Sequence, residues 1–233
     1  MCTSLDARDK RLRCSALISD GTTNVLIDCG PDVRQQLLPT GIEKLDAVLI
    51  THEHNDHLIG LDDLRPFIFR QKEPVRIYAE ERVQDSIRER FAYAFAKTPY
   101  PGAPRFELLS LKPHAPLHIG SLPEILPLRI LHGSLPILGF RVSATAYLTD
   151  VKEVPPPTRQ GLRGLDTLVT SALHHHRHHS HMTVEEAIEF AREIGATETC
   201  FIHMSHLAGR HAELSDQLPE GITLGYDGRS FAL

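Results

Sequence analysis

The sequence has no tryptophan, only four cysteines in 233 residues, and no apolar run near the ~20 residues of a membrane span. The cysteines (Cys2, Cys14, Cys29, Cys200) form no disulfide framework. Basic residues do not outnumber acidic ones (25 against 30, net charge -5), so no general nucleic-acid surface is indicated and no nucleic-acid partner is expected. The first ten residues have no apolar core, which excludes a signal peptide, so the expected location is cytoplasmic with no membrane partner. There is no repeat and no low-complexity tail. With 41% hydrophobic residues, the chain can bury one sizeable core, and a single domain over 1–233 is expected.

Histidine is the abundant residue, at 15, mostly gathered in three places. The first is Thr51-His52-Glu53-His54-Asn55-Asp56-His57. The apolar, β-favouring run Leu45–Ile50 before it reads as a buried strand, and Leu58-Ile59-Gly60-Leu61 after it as a segment able to begin a helix. A cluster at such a junction can aim His52 and His54 at one metal ion and Asp56 and His57 at a second. Imidazole with carboxylate suits zinc, manganese or iron, and ligand identity does not choose among them.

In chain order, a strand ending near Ser19, the turn Asp20-Gly21 and a return strand Asn24–Asp28 form a hairpin. Gly30-Pro31-Asp32 opens a helix to about Leu38. Val75–Tyr78 is a short strand. Residues 80–96 read as a helix with Val83, Ile87, Phe91 and Ala94 at helical spacing. The stretches 97–104 and 155–164 read as loops. Phe106–Leu111, Ile125–Leu131, Pro136–Val142, Ala144–Thr149, Leu165–Thr170 and Thr199–Ile202 read as strands. The second of these runs into His132-Gly133, the fourth into Asp150 and the last into His203. Ligand-type residues at strand ends, in this order, favour a metal role. The run His174–His179 carries no assigned duty. His181 stands out because it lies two residues before Thr183-Val184-Glu185-Glu186, a capping box that starts a helix ended by Gly195.

His-x-His-x-Asp-His resembles the signature of the metallo-β-lactamase superfamily. The order of hairpin, helix, strand and metal loop is similar to the start of that fold. The resemblance implies an αββα sandwich, two packed mixed β-sheets flanked by helices, and two divalent ions, with Mn²⁺, Zn²⁺ and Fe all open. Ser180-His181-Met182-Thr183, Phe201–His206 and Gly225-Tyr226-Asp227-Gly228 narrow it to the PhnP group, which includes a phosphoribosyl cyclic phosphate phosphodiesterase. The resemblance covers nearly the whole chain. By it, His52, His54, His132 and Asp150 hold one metal, and Asp56, His57, Asp150 and His203 the other. Asp28 matches the buried Asp behind the ligands, and Asp227 either orients a ligand or forms a turn. His181 contacts the phosphate or protonates the leaving oxygen.

The implied activity is hydrolysis of a small or cyclic phosphodiester by a metal-bridging hydroxide, with Asp56 and His181 in the catalytic set. A homodimer is implied by the group alone. The alternatives are a tRNA 3′-end-type ribonuclease, a thioester or lactone hydrolase, and a non-catalytic metal-binding regulatory module. One departure stands out. The group begins with a strand and a Cys-x-Cys-x-x-Cys loop that, with a late His, holds a structural zinc. Here Cys2 and His206 match the last Cys and that His, and the N-terminal strand and the other two cysteines are absent. Two ligands rarely hold a structural zinc.

Overall fold

A computed structural model describes residues 3–233. Cys2, half of the possible zinc remnant, lies outside the described residues. The chain forms two compact units: Arg13–Glu124, and Ile125–Leu233 together with the N-terminal segment up to Leu12.

The first unit holds a five-stranded mixed sheet, β1 (Ala16–Ser19), β2 (Asn24–Ile27), β3 (Ala47–Leu49), β4 (Val75–Ala79) and β5 (Phe106–Ser110), in that spatial order. The β1–β2 hairpin is antiparallel and the other pairs are parallel. Its short helices are α1 (Val33–Leu37), α2 (Asn55–Leu58) and α3 (Arg65–Gln71). Helix α4 (Glu81–Arg90) buries Val83 and Ile87 in a core shared with Leu26, Val48 and Ile77. The helix expected over 80–96 breaks at Phe91, where φ of -111° and ψ of 36° leave the helical region, and Ala92–Phe95 continues as a 3₁₀ turn. Helix α2 starts at Asn55, inside the histidine motif and not after it.

The second unit holds a six-stranded mixed sheet. Its strands are β6 (Ile125–His132), β7 (Leu135–Val142), β8 (Thr145–Leu148), β9 (Thr167–Ser171), β10 (Glu198–Ile202) and β11 (Ile222–Leu224). They lie in the order β11-β10-β9-β8-β7-β6. The pairs β6–β7 and β7–β8 are antiparallel and the rest parallel. Pro156–Gly161 is a helix, α5, where a loop was expected. Its prolines sit in the first turn, where a missing N–H costs nothing. Helix α6 (Val184–Ile194) carries the full capping box: Thr183 Oγ1 accepts from the Glu186 N–H, and Glu186 accepts from the Thr183 N–H. Gly195 ends it at φ 68°. Its Val184, Ala187, Phe190 and Ala191 join the core of Leu128, Leu148 and Phe201. A last helix, α7 (His211–Ser215), precedes β11. Among the described residues, no helix is long and apolar enough to cross a membrane.

Candidate metal-binding donor sets

In the first unit, β3 delivers the motif. His52 and His57 are fully buried, and His54 is exposed at the N-cap of α2. His52 Nε2 lies 3.0 Å from His54 Nδ1, and Asp56 Oδ2 lies 3.5 Å from His57 Nε2. Asp56 and His57 therefore stand on the first turn of α2, and the two histidines before it are on extended chain.

Hydrogen bonds fix the imidazole tautomers. His57 Nδ1 donates to Asp28 Oδ2 at 2.7 Å. Asp28 also accepts from the Thr51 N–H at 2.8 Å and from Thr51 Oγ1 at 2.9 Å. Having given its proton to Asp28, the Thr51 hydroxyl acts as acceptor toward His52 Nδ1, 2.9 Å away. Both rings thus carry the proton on Nδ1 and present an unprotonated Nε2, the state a metal requires. Burial pushes the Asp28 carboxyl above its ordinary value, and His57 and Thr51 oppose that rise. All three partners of Asp28 are donors, the arrangement that suits an ionised carboxylate.

The turn after β2 is bound tightly to the motif. The Cys29 N–H donates to the His57 carbonyl at 2.6 Å, and the Gly60 N–H to the Cys29 carbonyl at 2.9 Å. A Cβ on Gly30 would collide with the Asp56 carbonyl, and one on Gly60 with the Gly30 carbonyl. Glu53 is anchored from α4, by an ion pair with Arg82 and by a 2.7 Å bond from Arg90 Nη1 to its carbonyl.

In the second unit, His132 ends β6, Asp150 follows β8 by two residues, and His203 follows β10 directly. His132, Asp150 and His181 are buried, and each offers a donor atom within 4.8 Å of the others. His203 Nε2 is 3.1 Å from Asp150 Oδ1. The ring centroids of His181 and His132 are 4.5 Å apart, and those of His181 and His203 are 5.1 Å apart and stacked. His132 Nδ1 donates to the Ser180 carbonyl at 2.8 Å, so this ring too presents Nε2 unprotonated. Thr149 Oγ1 donates to Asp150 Oδ1 at 2.7 Å.

Three of these residues have left-handed backbone: Asp28 at φ 60°, Asp150 at 54° and His203 at 56°. Only three other non-glycine residues among those described share it. Such conformations persist where the surroundings enforce them and gather at functional sites.

His181 Nδ1 is buried without a hydrogen-bond partner among the described residues. Burial lowers its pKa to about 3 against the opposing pull of Asp150, with His203 and His132 adding to the fall. The ring is therefore neutral near pH 7. The segment around it is pinned: the Met182 N–H donates to the Val151 carbonyl, and the Leu173 N–H to the Met182 carbonyl, both at 3.0 Å. Within the run His174–His179, His174 is buried, and the others are exposed or half-buried. Asp227 holds the N-terminal segment through the Leu12 N–H at 3.1 Å, and His206, exposed, begins a 3₁₀ turn.

The donor chemistry fits divalent cations. Each unit gathers imidazoles with carboxylates, and His52, His57 and His132 are held in the ligating tautomer. Thr51, which locks His52 and binds Asp28, had no assigned role in the sequence reading. Its hydroxyl at a strand end was the only signal.

A model of the beta-lactamase superfamily domain matches residues 23–204. The chain belongs to this family. Members of the superfamily are metal-dependent hydrolases, and the mixed sheets with flanking helices are those of its α/β sandwich fold. A diphosphatase of the PhnP family is similar in structure, with a TM-score of 0.89 and 36% identity, covering 98% of this chain and 86% of that one. A Porphyromonas gingivalis protein named octanoyltransferase is 46% identical over 230 residues, 98% of this chain and 46% of that protein. The chain thus spans about half the length of that relative. A ribonuclease Z of Bradyrhizobium sp. is 40% identical over 50 residues, 21% of this chain and 17% of that protein.

Proposed function

We propose that the chain is a cytoplasmic, dinuclear metal-dependent phosphodiesterase acting on a small or cyclic phosphodiester. His52, His54, His132 and Asp150 are assigned to one ion, and Asp56, His57, Asp150 and His203 to the other. The observation that carries this reading is the tautomer control. Asp28, Thr51 and the Ser180 carbonyl each accept a hydrogen bond from the Nδ1–H of a candidate ligand, so Nε2 is left for a cation. Structural histidines have no need of three such locks. The PhnP-family likeness supports phosphate ester chemistry.

When bound, two divalent cations supply Lewis acidity toward a phosphoryl oxygen and lower the pKa of a nearby water. The chain's own residues do the rest. Asp28 and Thr51 orient His57 and His52, and Thr149 holds the Asp150 carboxylate in place. His181, neutral at pH 7, offers one ring N–H to a phosphoryl oxygen. The negative charge of a bound phosphate draws its pKa upward, and protonation of the leaving oxygen from this ring follows the same path.

A second reading is hydrolysis of an acyl thioester or lactone. It is prompted by the match to about half of the Porphyromonas protein, whose name as a whole denotes acyl transfer. One preparation separates the two: turnover of bis(p-nitrophenyl) phosphate beside an octanoyl thioester, each with added Mn²⁺ or Zn²⁺. Metal-dependent turnover of the diester alone supports the first reading, and turnover of the thioester alone replaces it with the second.

A further inference from the structure

Three candidate ligands, His52, His57 and His132, are oriented through Nδ1 by Thr51, Asp28 and the Ser180 carbonyl. His54 is held by different means. It is exposed, on extended chain at φ -65° and ψ 146°. Its Nδ1 lies 3.0 Å from His52 Nε2. The His52 ring carries its proton on Nδ1, so in this contact His54 donates and His52 Nε2 accepts. His52 Nε2 is also the nitrogen offered to a cation. Ligation by His52 therefore ends the contact, and His54 needs a hold that survives it.

Helix α4 supplies that hold at Glu53. Two arginines from opposite ends of the helix converge on this one residue. Arg82, the second residue of α4, forms an ion pair with the Glu53 carboxylate. Arg90, the last, donates from Nη1 to the Glu53 carbonyl at 2.7 Å. That carbonyl belongs to the peptide unit joining Glu53 to His54, so its direction sets the start of the His54 backbone. Side chains alternate along extended chain, so a Glu53 side chain drawn toward α4 leaves those of His52 and His54 on the opposite side.

The helix is itself firmly placed, with Val83 and Ile87 fully buried in the core of the first unit. The Arg82–Glu53 pair is partly buried, and salt screens such a pair less than a fully exposed one.

We propose that Arg82 and Arg90 are positioning residues for a metal ligand. By holding Glu53 they fix the direction of His54 and, with it, the affinity for the ion assigned to His52 and His54. This rests on the metal assignment given above. The two ions then differ in what supports them: the one assigned to Asp56 and His57 depends on Asp28, and the other on α4.

The test is metal affinity, with no substrate present. The full chain and its variants are titrated with Zn²⁺ against a chromophoric chelator, and the wild type should bind in two steps. Arg90→Ala should weaken one step about tenfold, the usual cost of removing an orienting partner, and leave the other within about twofold. Arg90→Lys keeps a donor and should recover most of the loss. Glu53→Gln discharges the Arg82 pair and should weaken the same step; it carries the comparison should Arg90→Ala fail to fold. Arg88→Ala controls for the helix, since that side chain bonds Asp85 and Gln84, and should change neither step. His54→Ala identifies the step: loss of the one that Arg90→Ala weakens supports the proposal. A wild type with fewer than two steps, or His54→Ala that keeps both, sinks the metal assignment and the proposal with it. If His54→Ala loses a step while Arg90→Ala and Glu53→Gln leave both steps unchanged, or weaken both equally, the positioning role alone is overturned.

Discussion

His57 Nδ1 lies 2.7 Å from Asp28 Oδ2, and both side chains are fully buried. Asp28 follows strand β2 in left-handed backbone, and His57 sits on the first turn of α2. The bond ties a strand end to a helix start across 29 residues of chain. It also decides which nitrogen of His57 faces a metal. Asp28→Ala should weaken metal binding about 10–100-fold, the usual cost of removing such an orienting partner. Competition with a chromophoric chelator measures it. An unchanged affinity would show that Asp28 serves only to cap the turn.

Close backbone approach holds the motif in place. Gly30→Ala or Gly60→Ala forces a methyl group into a carbonyl oxygen that has little freedom to move. Each should destabilise the protein by about 1–3 kcal/mol. Denaturant unfolding at constant metal load reports it, and a change within the fitting error would mean that the loop yields.

The capping box of α6 follows His181 by two residues and tests how that helix start is held. Thr183→Ala removes the acceptor for the Glu186 N–H and should cost about 1 kcal/mol. Thermal unfolding should show a lower Tm. Glu186→Ala leaves that bond and removes the other arm, the acceptor for the Thr183 N–H, together with the Lys152 ion pair.

Much of this was legible in the sequence, for identifiable reasons. The histidine motif stood at the end of a strand because Leu45–Ile50 is apolar and β-favouring, and Thr183 to Glu186 announced the start of α6. Other features left no local trace. Residue type alone does not reveal that Asp28, Asp150 and His203 are left-handed, since tertiary contacts impose it. Helix α5 was hidden because a run of prolines reads as a breaker, though two of them fit a first turn. Strand β11 is three residues long, too short for periodicity, and is defined by its pairing with β10. The bond from Arg90 to Glu53 spans 37 residues of chain, a proximity that no spacing rule gives.

His181 sets a pH dependence in metal-free protein. Its pKa is lowered from 6.5 to about 3, chiefly by burial, so the unfolded chain binds a proton there that the folded chain does not. Stability from this group is fully present above pH 6.5 and is lost as pH falls toward 3. His178 and His211 are lowered too and act in the same sense. His181→Asn should reduce the slope of stability against pH between these limits. Unfolding by urea across that range, after chelation, tests it, and an unchanged slope would contradict the lowered pKa.

The most direct test of a dinuclear phosphodiesterase combines metal content with turnover. Wild-type protein dialysed after loading with Mn²⁺ or Zn²⁺ is analysed for bound metal and assayed with bis(p-nitrophenyl) phosphate, beside Asp150→Asn and His54→Ala. The expected result is two ions per chain with metal-dependent turnover, and loss of both metal and turnover in the variants. Wild-type protein that holds two ions without cleaving the diester, or that cleaves it equally well as Asp150→Asn, would contradict the account.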